Sequence, residues 1–434
     1  MADDRSDASS GEHGLRDLAG GRPTAESAGE HLLGSLLDRA HLIPPRLVGP
    51  LVAQQLRAAG GDDVAIHLQD LDQVQLRPLE GPGLTGAAVP IDESDVGTAF
   101  ATDTMTEVPL PDGRVRLHVP MLDGSDRVGV LSFVLPHVGE ADRRLAQRVA
   151  GLVADLVVTK DGYTDTFERV RTARPLTLAA QLQRQSLPPL SMTTPDVDLS
   201  GILEPAYEVG GDVFDYALDE HVLHVALFDA MGHGLQAATM STLLLASYRH
   251  GRLRDLLLTA LYDAMDRVLA ESFPGRFATG QIGRLDTRTG QLSWVNAGHP
   301  PALWVRESRV VGELTGPVTR PIGFGRAAAS ELSVQLEPGD RVLFFTDGVV
   351  EERLSGGEQF GEARLRELLE QTTAEGLAAA ETVRRLSHAL MAARDGRTSD
   401  DASLLLLEWK APPREDELDP GVPEASPPTE DGGR

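Results

Sequence analysis

Four times in the second half of the chain an aspartate stands beside glycine or another small residue at the end of a strand-like run. The segments are Val209-Gly210-Gly211-Asp212-Val213-Phe214-Asp215, Phe228-Asp229-Ala230-Met231-Gly232-His233-Gly234, Phe345-Thr346-Asp347-Gly348-Val349 and Thr398-Ser399-Asp400-Asp401-Ala402-Ser403. Three of them lie where a strand-like run gives way to a turn. Any one alone reads as punctuation. Asp-Gly is a turn far more often than a ligand, Asp229 ahead of a glycine pair suits a capped helix start, Asp400-Asp401 suits a solvated loop, and His233 suits a loop hydrogen bond. Four in succession read differently. Glycines let backbones approach closely enough for carboxylates on different strands to converge. Such carboxylates repel one another and raise each other's pKa unless cations sit among them. An all-oxygen set suits hard divalent ions such as Mg²⁺ or Mn²⁺, and two ions would relieve the repulsion and hold a water between them.

The chemistry open to the chain is narrowed by what it lacks. There is no cysteine, which removes disulfides, thiolate metal sites and cysteine nucleophiles. The formal net charge of -26 argues against nucleic acid and against an anionic membrane surface as partners. No apolar run approaches the roughly 18 residues of a membrane span. The stretch from Met1 to Glu30 is polar and acidic, unlike a signal peptide, so a cytoplasmic location is expected.

Composition and periodicity divide the 434 residues into five parts. Residues 1–30 and 411–434 are acidic and lack periodicity, and both are predicted to be disordered. Residues 31–160 predict a sensor-sized α+β domain. Leu32, Leu33, Leu36 and Leu37 suit one helix face and Leu47, Val48, Leu51 and Val52 another. Strand-like runs follow at Val64 to Leu68, Arg116 to Pro120 and Val128 to Val134, and Leu145 to Leu156 again has helical spacing. Residues 161–194 predict a linker helix with Pro175 in its first turn, Leu178 and Leu182 on one face, and a stop at Pro188-Pro189. Residues 195–410 alternate strand-like runs with turns and carry helical stretches after Gly234 and from 362 to 393, the pattern of an α+β sandwich.

From about residue 176 to 410 the chain resembles the PPM family of metal-dependent Ser/Thr phosphatases, in its bacterial SpoIIE/RsbU-type branch. The resemblance rests on Leu182-Gln183-Arg184-Gln185-Ser186-Leu187-Pro188-Pro189, on Pro205 to Asp212, and on Asp229-Ala230-Met231-Gly232-His233-Gly234. Asn296-Ala297-Gly298-His299-Pro300-Pro301, Pro321-Ile322-Gly323, Pro338-Gly339-Asp340-Arg341, Thr346 to Val349 and Ser399 to Ala402 follow in the family's order. It implies a PPM-type β-sandwich flanked by helices. It also implies a metal pair bound by Asp212, Asp229, Asp347 and Asp400, with the backbone carbonyl of Ala230 as a further ligand. Asp401 is the alternative to Asp400 if the register slips by one, and Asp215 is a candidate for the surrounding shell. No phosphate-clamping arginine can be placed. More loosely, residues 31–160 resemble a GAF sensor domain through Val119-Pro120-Met121-Leu122-Asp123-Gly124 and Val128-Gly129-Val130-Leu131.

The function so implied is hydrolysis of phosphoserine or phosphothreonine with two Mn²⁺ or Mg²⁺ ions. The implied substrate is a phosphorylated STAS-domain anti-sigma-factor antagonist, with control by a small-molecule or protein signal at the N-terminal domain. A second copy of the chain is a further candidate partner, and the linker a candidate for transmitting the signal to the helices after Gly234. Two other readings remain: a degenerate phosphatase domain that only binds a partner, and a small-molecule phosphohydrolase.

Overall fold

A computed structural model of the chain describes residues 28–40, 42–204, 210–325, 328–351, 360–393 and 401–410. The expectations for residues 1–27 and 411–434 lie outside these.

The first unit is built on one antiparallel sheet. Two helices lead in, α1 (Ala28–Ala40) and α2 (Val48–Ala58), followed by β1 (Asp62–Gln69), β2 (Gln75–Pro78), β3 (Val89–Pro90), α3 (Asp95–Thr102), β4 (Thr106–Pro109), β5 (Val115–Asp123) and β6 (Asp126–Leu135). The strand order is β3-β2-β1-β6-β5-β4. Its long helix α4 (Glu140–Asp161) packs with α1 and α2 on one face through Leu36, Val52, Ile66, Leu131, Val149 and Val153. The other face is covered by α3, whose Phe100 meets Leu76, Ile91 and Val130. Ser94 caps α3 by accepting from the Gly97 amide at 2.9 Å.

Residues 161–194 depart from the single helix that the sequence predicts. The segment holds α5 (Thr166–Arg171) and α6 (Leu178–Ser186), separated by Pro175, which lies outside both. Thr177 caps α6, its side chain accepting from the Ala180 amide at 3.2 Å. The face that α6 buries is Ala179, Ala180 and Gln183, while Leu178 is 71% exposed. Small side chains there let α6 lie close against its neighbour, which a leucine stripe would not.

The second unit begins with β7 (Ser191–Thr193), β8 (Val197–Glu204), β9 (Asp212–Asp219) and β10 (Val222–Ala230). Then come α7 (Leu235–Arg252), α8 (Leu258–Ser272), β11 (Ala278–Asp286), β12 (Gln291–Ala297), β13 (Leu303–Arg306), β14 (Arg309–Glu313), β15 (Leu332–Gln335) and β16 (Arg341–Phe345). It ends with α9 (Asp347–Val350), α10 (Gly361–Ala374), α11 (Ala379–Ala393) and β17 (Ala402–Trp409). Two sheets form, β15-β12-β11-β10-β9 and β14-β13-β16-β17-β8-β7. The central strands β8, β10, β16 and β17 are buried on both faces, which explains why they read as near-continuous apolar runs. In β9 and β10, Phe214, Leu223, Val225 and Leu227 point to the layer between the sheets, and Val213, Ala226 and Phe228 to the layer under α7 and α8. On the outer face of the second sheet, α10 and α11 pack through Leu369, Val383 and Leu386. The result is a helix–sheet–sheet–helix sandwich.

A buried ionic network joins the two units. Arg127 of β6 donates to Asp103 at 2.8 and 2.9 Å and to Glu381 of α11 at 3.2 Å. Glu381 also accepts from Arg384 at 2.9 Å twice and from Arg385 at 2.9 Å. Arg384 reaches back to Asp92 of the first unit at 2.7 Å. The side chains of Arg127, Glu381 and Arg384 are each 4% exposed or less.

Candidate active site

The acidic segments meet at one end of the sandwich because of how the strands pair. Asp212 opens β9 and Asp229 is the penultimate residue of β10, and the two are direct antiparallel partners. Cross-strand carboxylates this close are destabilising without a counter-charge. Across the sandwich, β16 and β17 pair with Phe345 opposite Leu404, so Asp347 and Asp401 emerge side by side from the same end of the second sheet. Glycines permit close approach, Gly210 between the sheets and Gly211 and Gly348 within them. A Cβ on Gly210 would fall 2.2 Å from the Asp401 carboxyl carbon, and one on Gly348 only 1.7 Å from the Asp401 carbonyl oxygen. Gly211 has the same role against the Ala230 carbonyl oxygen, at 2.1 Å.

Asp212 is the centre of this arrangement. It is 2% exposed. Burial, and then the neighbouring charges of Asp229 and Asp401, push its carboxyl well above the usual carboxylate range, against the pull of a Thr346 hydrogen bond. The Thr346 hydroxyl donates to Asp212 Oδ2 at 2.6 Å and accepts from the Ser403 amide at 2.9 Å. The Asp212 amide donates to Asp401 Oδ2 at 3.4 Å. Three of the predicted residues, Asp212, Asp229 and Asp401, are therefore brought into one electrostatic cluster. Asp347 directly follows Thr346, and Ala230 directly follows Asp229. Asp400 lies outside the described residues. Asp215 serves the packing of the strand instead. It is 1% exposed and paired with Arg249 at 2.7 Å and Arg252 at 2.8 Å, which fastens α7 to β9. His233 is exposed in the loop before α7.

The donor set suits a hard cation: oxygen ligands only, at a point where a Cβ at 210 or 348 would have no room, with a buried carboxyl pushed up by burial and by two neighbouring carboxylates. Among the described residues, however, no three carboxylates stand as a finished metal cage.

Several residues position the cluster without belonging to it, and no local sequence pattern signals their contacts. Gln183 of α6 donates its side-chain amide to the Asp212 carbonyl oxygen. Ser241 of α7 donates to the Gly211 carbonyl oxygen, and α7 is tied to the end of α6 by Arg249 donating to the Ser186 carbonyl at 2.7 Å. His299 bridges the two sheets. Its ring contacts Thr279 Oγ1 at 2.8 Å and the Phe345 carbonyl at 3.1 Å, and Thr279 is the strand partner of Asp229. Burial pushes this imidazole down to about 4, so it is neutral near pH 7. Asn296 holds the His299 backbone at 2.8 and 2.9 Å. The Asn296 to Pro301 motif is thus a brace between the sheets.

The sandwich, its motif order and its aspartates at one end are those that the resemblance to PPM phosphatases implies. Residues 219–410 match the family described as Stage II sporulation protein E (SpoIIE). The chain is 28% identical over 190 residues to phosphoserine phosphatase RsbP of Bacillus subtilis, covering 42% of this chain and 47% of RsbP. It is 22% identical over 273 residues to phosphoserine phosphatase RsbU of the same organism, covering 59% of this chain and 78% of RsbU. The match thus spans about half the length of RsbP. Among solved structures, the SiaA-PP2C domain of Pseudomonas aeruginosa superposes with a TM-score of 0.45 at 22% identity, over 54% of this chain and 94% of that one. The family match does not extend into residues 28–218, so the GAF-like expectation gains nothing from it. Among the described residues no helix is long and apolar enough to cross a membrane.

Proposed function

We propose that the chain is a divalent-metal-dependent phosphoserine/phosphothreonine protein phosphatase of the cytoplasm. The observation that carries this reading is the pairing of Asp212 with Asp229 across β9 and β10, with Asp401 set against both. The likeness to two phosphoserine phosphatases supports the reaction class. Two Mn²⁺ or Mg²⁺ ions would be held by Asp212, Asp229, Asp347 and either Asp400 or Asp401, with the Ala230 carbonyl, and when bound they supply charge neutralisation and an activated water. The protein's part is positional. The backbone of Gly210, Gly211 and Gly348 permits the approach, Thr346 orients the Asp212 carboxylate, and Gln183, Ser241 and His299 hold the strands that carry the ligands. The substrate is a phosphorylated STAS-domain antagonist of an anti-sigma factor, and the N-terminal unit is a GAF-like sensor that sets the activity. Phosphate release from a phosphorylated STAS-domain protein, with and without Mn²⁺, is the test. No release under either condition contradicts the reading.

A further inference from the structure

The N-terminal unit contains a cavity that the sheet's covering helices do not fill. It lies at the β2 edge, between the start of α2 and α5, and measures about 590 Å³, within the usual range of small-molecule sites, roughly 300–1,000 Å³. Its walls are of two kinds. Pro50, Leu79 and Phe167 supply apolar surface, while Arg46, Arg77 and Arg169 supply three guanidinium groups. Glu80 is the one carboxylate among the lining residues, and it is exposed.

The arginines are not used up by the fold. Arg77 donates one hydrogen bond, from Nε to the Val170 carbonyl at 2.8 Å, which fixes its direction and leaves its terminal nitrogens for other acceptors. Neither Arg46 nor Arg77 makes a carboxylate ion pair within 4.0 Å among the described residues, and Arg77 acts on a carboxylate only at a distance, favouring the charge of Asp70. Arg169 pairs with Asp165 at 3.0 Å, but both side chains are 77% exposed, and such pairs hold little. In a chain with a net charge of -26, carboxylates are the cheapest neighbours to find. Three arginines around one concavity with a single exposed acid run against that background.

We infer that this cavity binds a small organic anion, a phosphate- or carboxylate-bearing molecule with an apolar body. The guanidinium forks take the anionic head, and the Pro50, Leu79 and Phe167 surface takes the rest. The site rests on this geometry and not on the phosphatase reading. It shares its α5 wall with the segment leading to the candidate active site: Gln181 of α6 donates to Glu168 of α5 at 3.2 Å.

The test is a fluorescence titration of the full chain, in chelator, with 8-anilinonaphthalene-1-sulfonate, an anion with an apolar body. Saturable binding is expected, weakened about tenfold or more by Arg46→Glu and by Arg77→Gln, the equivalent of one lost charge-assisted contact. Arg46 is exposed and its side chain makes no hydrogen bond among the described residues, so Arg46→Glu stays informative even if Arg77→Gln disturbs folding. Arg254→Glu, an exposed charge reversal on the other unit, is expected to leave the titration unchanged. Phenylphosphonate and benzoate as competitors distinguish a phosphate-type head from a carboxylate. No saturable binding, wild-type affinity in Arg46→Glu, an equal loss in Arg254→Glu, or displacement by neither competitor each overturns the proposal.

Discussion

Removing Glu381 should loosen the junction between the two units. Its carboxylate accepts four charge-assisted hydrogen bonds from three arginines, one of them on the other unit. Although burial pushes the Glu381 carboxyl up, the bonds from Arg384 and its neighbours outweigh it and the carboxyl is held below its ordinary value. Taking one partner out of a buried ionic network costs about 3–5 kcal/mol, because the remaining charge is left uncompensated. Here Arg127 keeps Asp103 and Arg384 keeps Asp92, so the lower end, about 3 kcal/mol, is expected for Glu381→Ala. In urea that corresponds to a fall in midpoint on the order of 1 M. Hydrogen exchange should rise at both ends of the network, around residues 92–103 and in α11. A change of less than about 0.5 kcal/mol, within the range of ordinary surface substitutions, with unchanged exchange would refute the view that this network holds the units together.

Other outcomes follow from the site. Gly348→Ala places a Cβ 1.7 Å from the Asp401 carbonyl, so the backbone carrying Asp347 must move; turnover of a phosphoserine peptide should drop about 100-fold while circular dichroism stays native. Gln183→Ala removes the donor to the Asp212 carbonyl, and the Mn²⁺ concentration giving half-maximal activity should rise about tenfold or more, as for other residues that orient ligands. Burial pushes His118 and His299 down to about 4 from 6.5. Between those values the unfolded chain binds protons that the folded chain does not, so stability should fall as pH drops from 6.5 towards 4. The loss is on the order of 3 kcal/mol for each histidine at most, and unfolding midpoints across that range for His118→Gln, expected to fall less steeply than wild type, check it.

Much of the second unit is legible in its sequence because burial on both faces of its strands leaves long apolar runs, as in β10 and β17, bounded by the acidic turns. What the sequence hides is short or mixed in character. Strands β13 and β14, of four and five residues, are too brief to show a period, and β9 carries Asp212, Asp215 and Asp219 among its eight residues, so its composition argues against a strand. In the linker, leucine spacing at 178 and 182 suggests a buried face, whereas the residues that α6 buries are Ala179, Ala180 and Gln183. The aspartates themselves are legible from their glycine neighbours. Their supports are not: Thr346, Ser241 and Gln183 act through single hydrogen bonds across 134, 30 and 29 residues of chain, and no local pattern records a contact of that kind. Asp215 can be placed near the cluster by proximity along β9, but only the fold reveals that Arg249 and Arg252 claim it.

Metal-dependent release of phosphate bears on the function most directly. The full chain, wild type and Asp229→Asn, is assayed on a phosphoserine peptide with Mn²⁺ and with excess chelator. The carboxylate cluster predicts release by the wild type in Mn²⁺, none in chelator, and a loss on the order of 100-fold or more in Asp229→Asn with the fold intact, as expected when a ligand that supports metal-ion catalysis is removed. Undiminished release in chelator, or wild-type rates from Asp229→Asn, would contradict it.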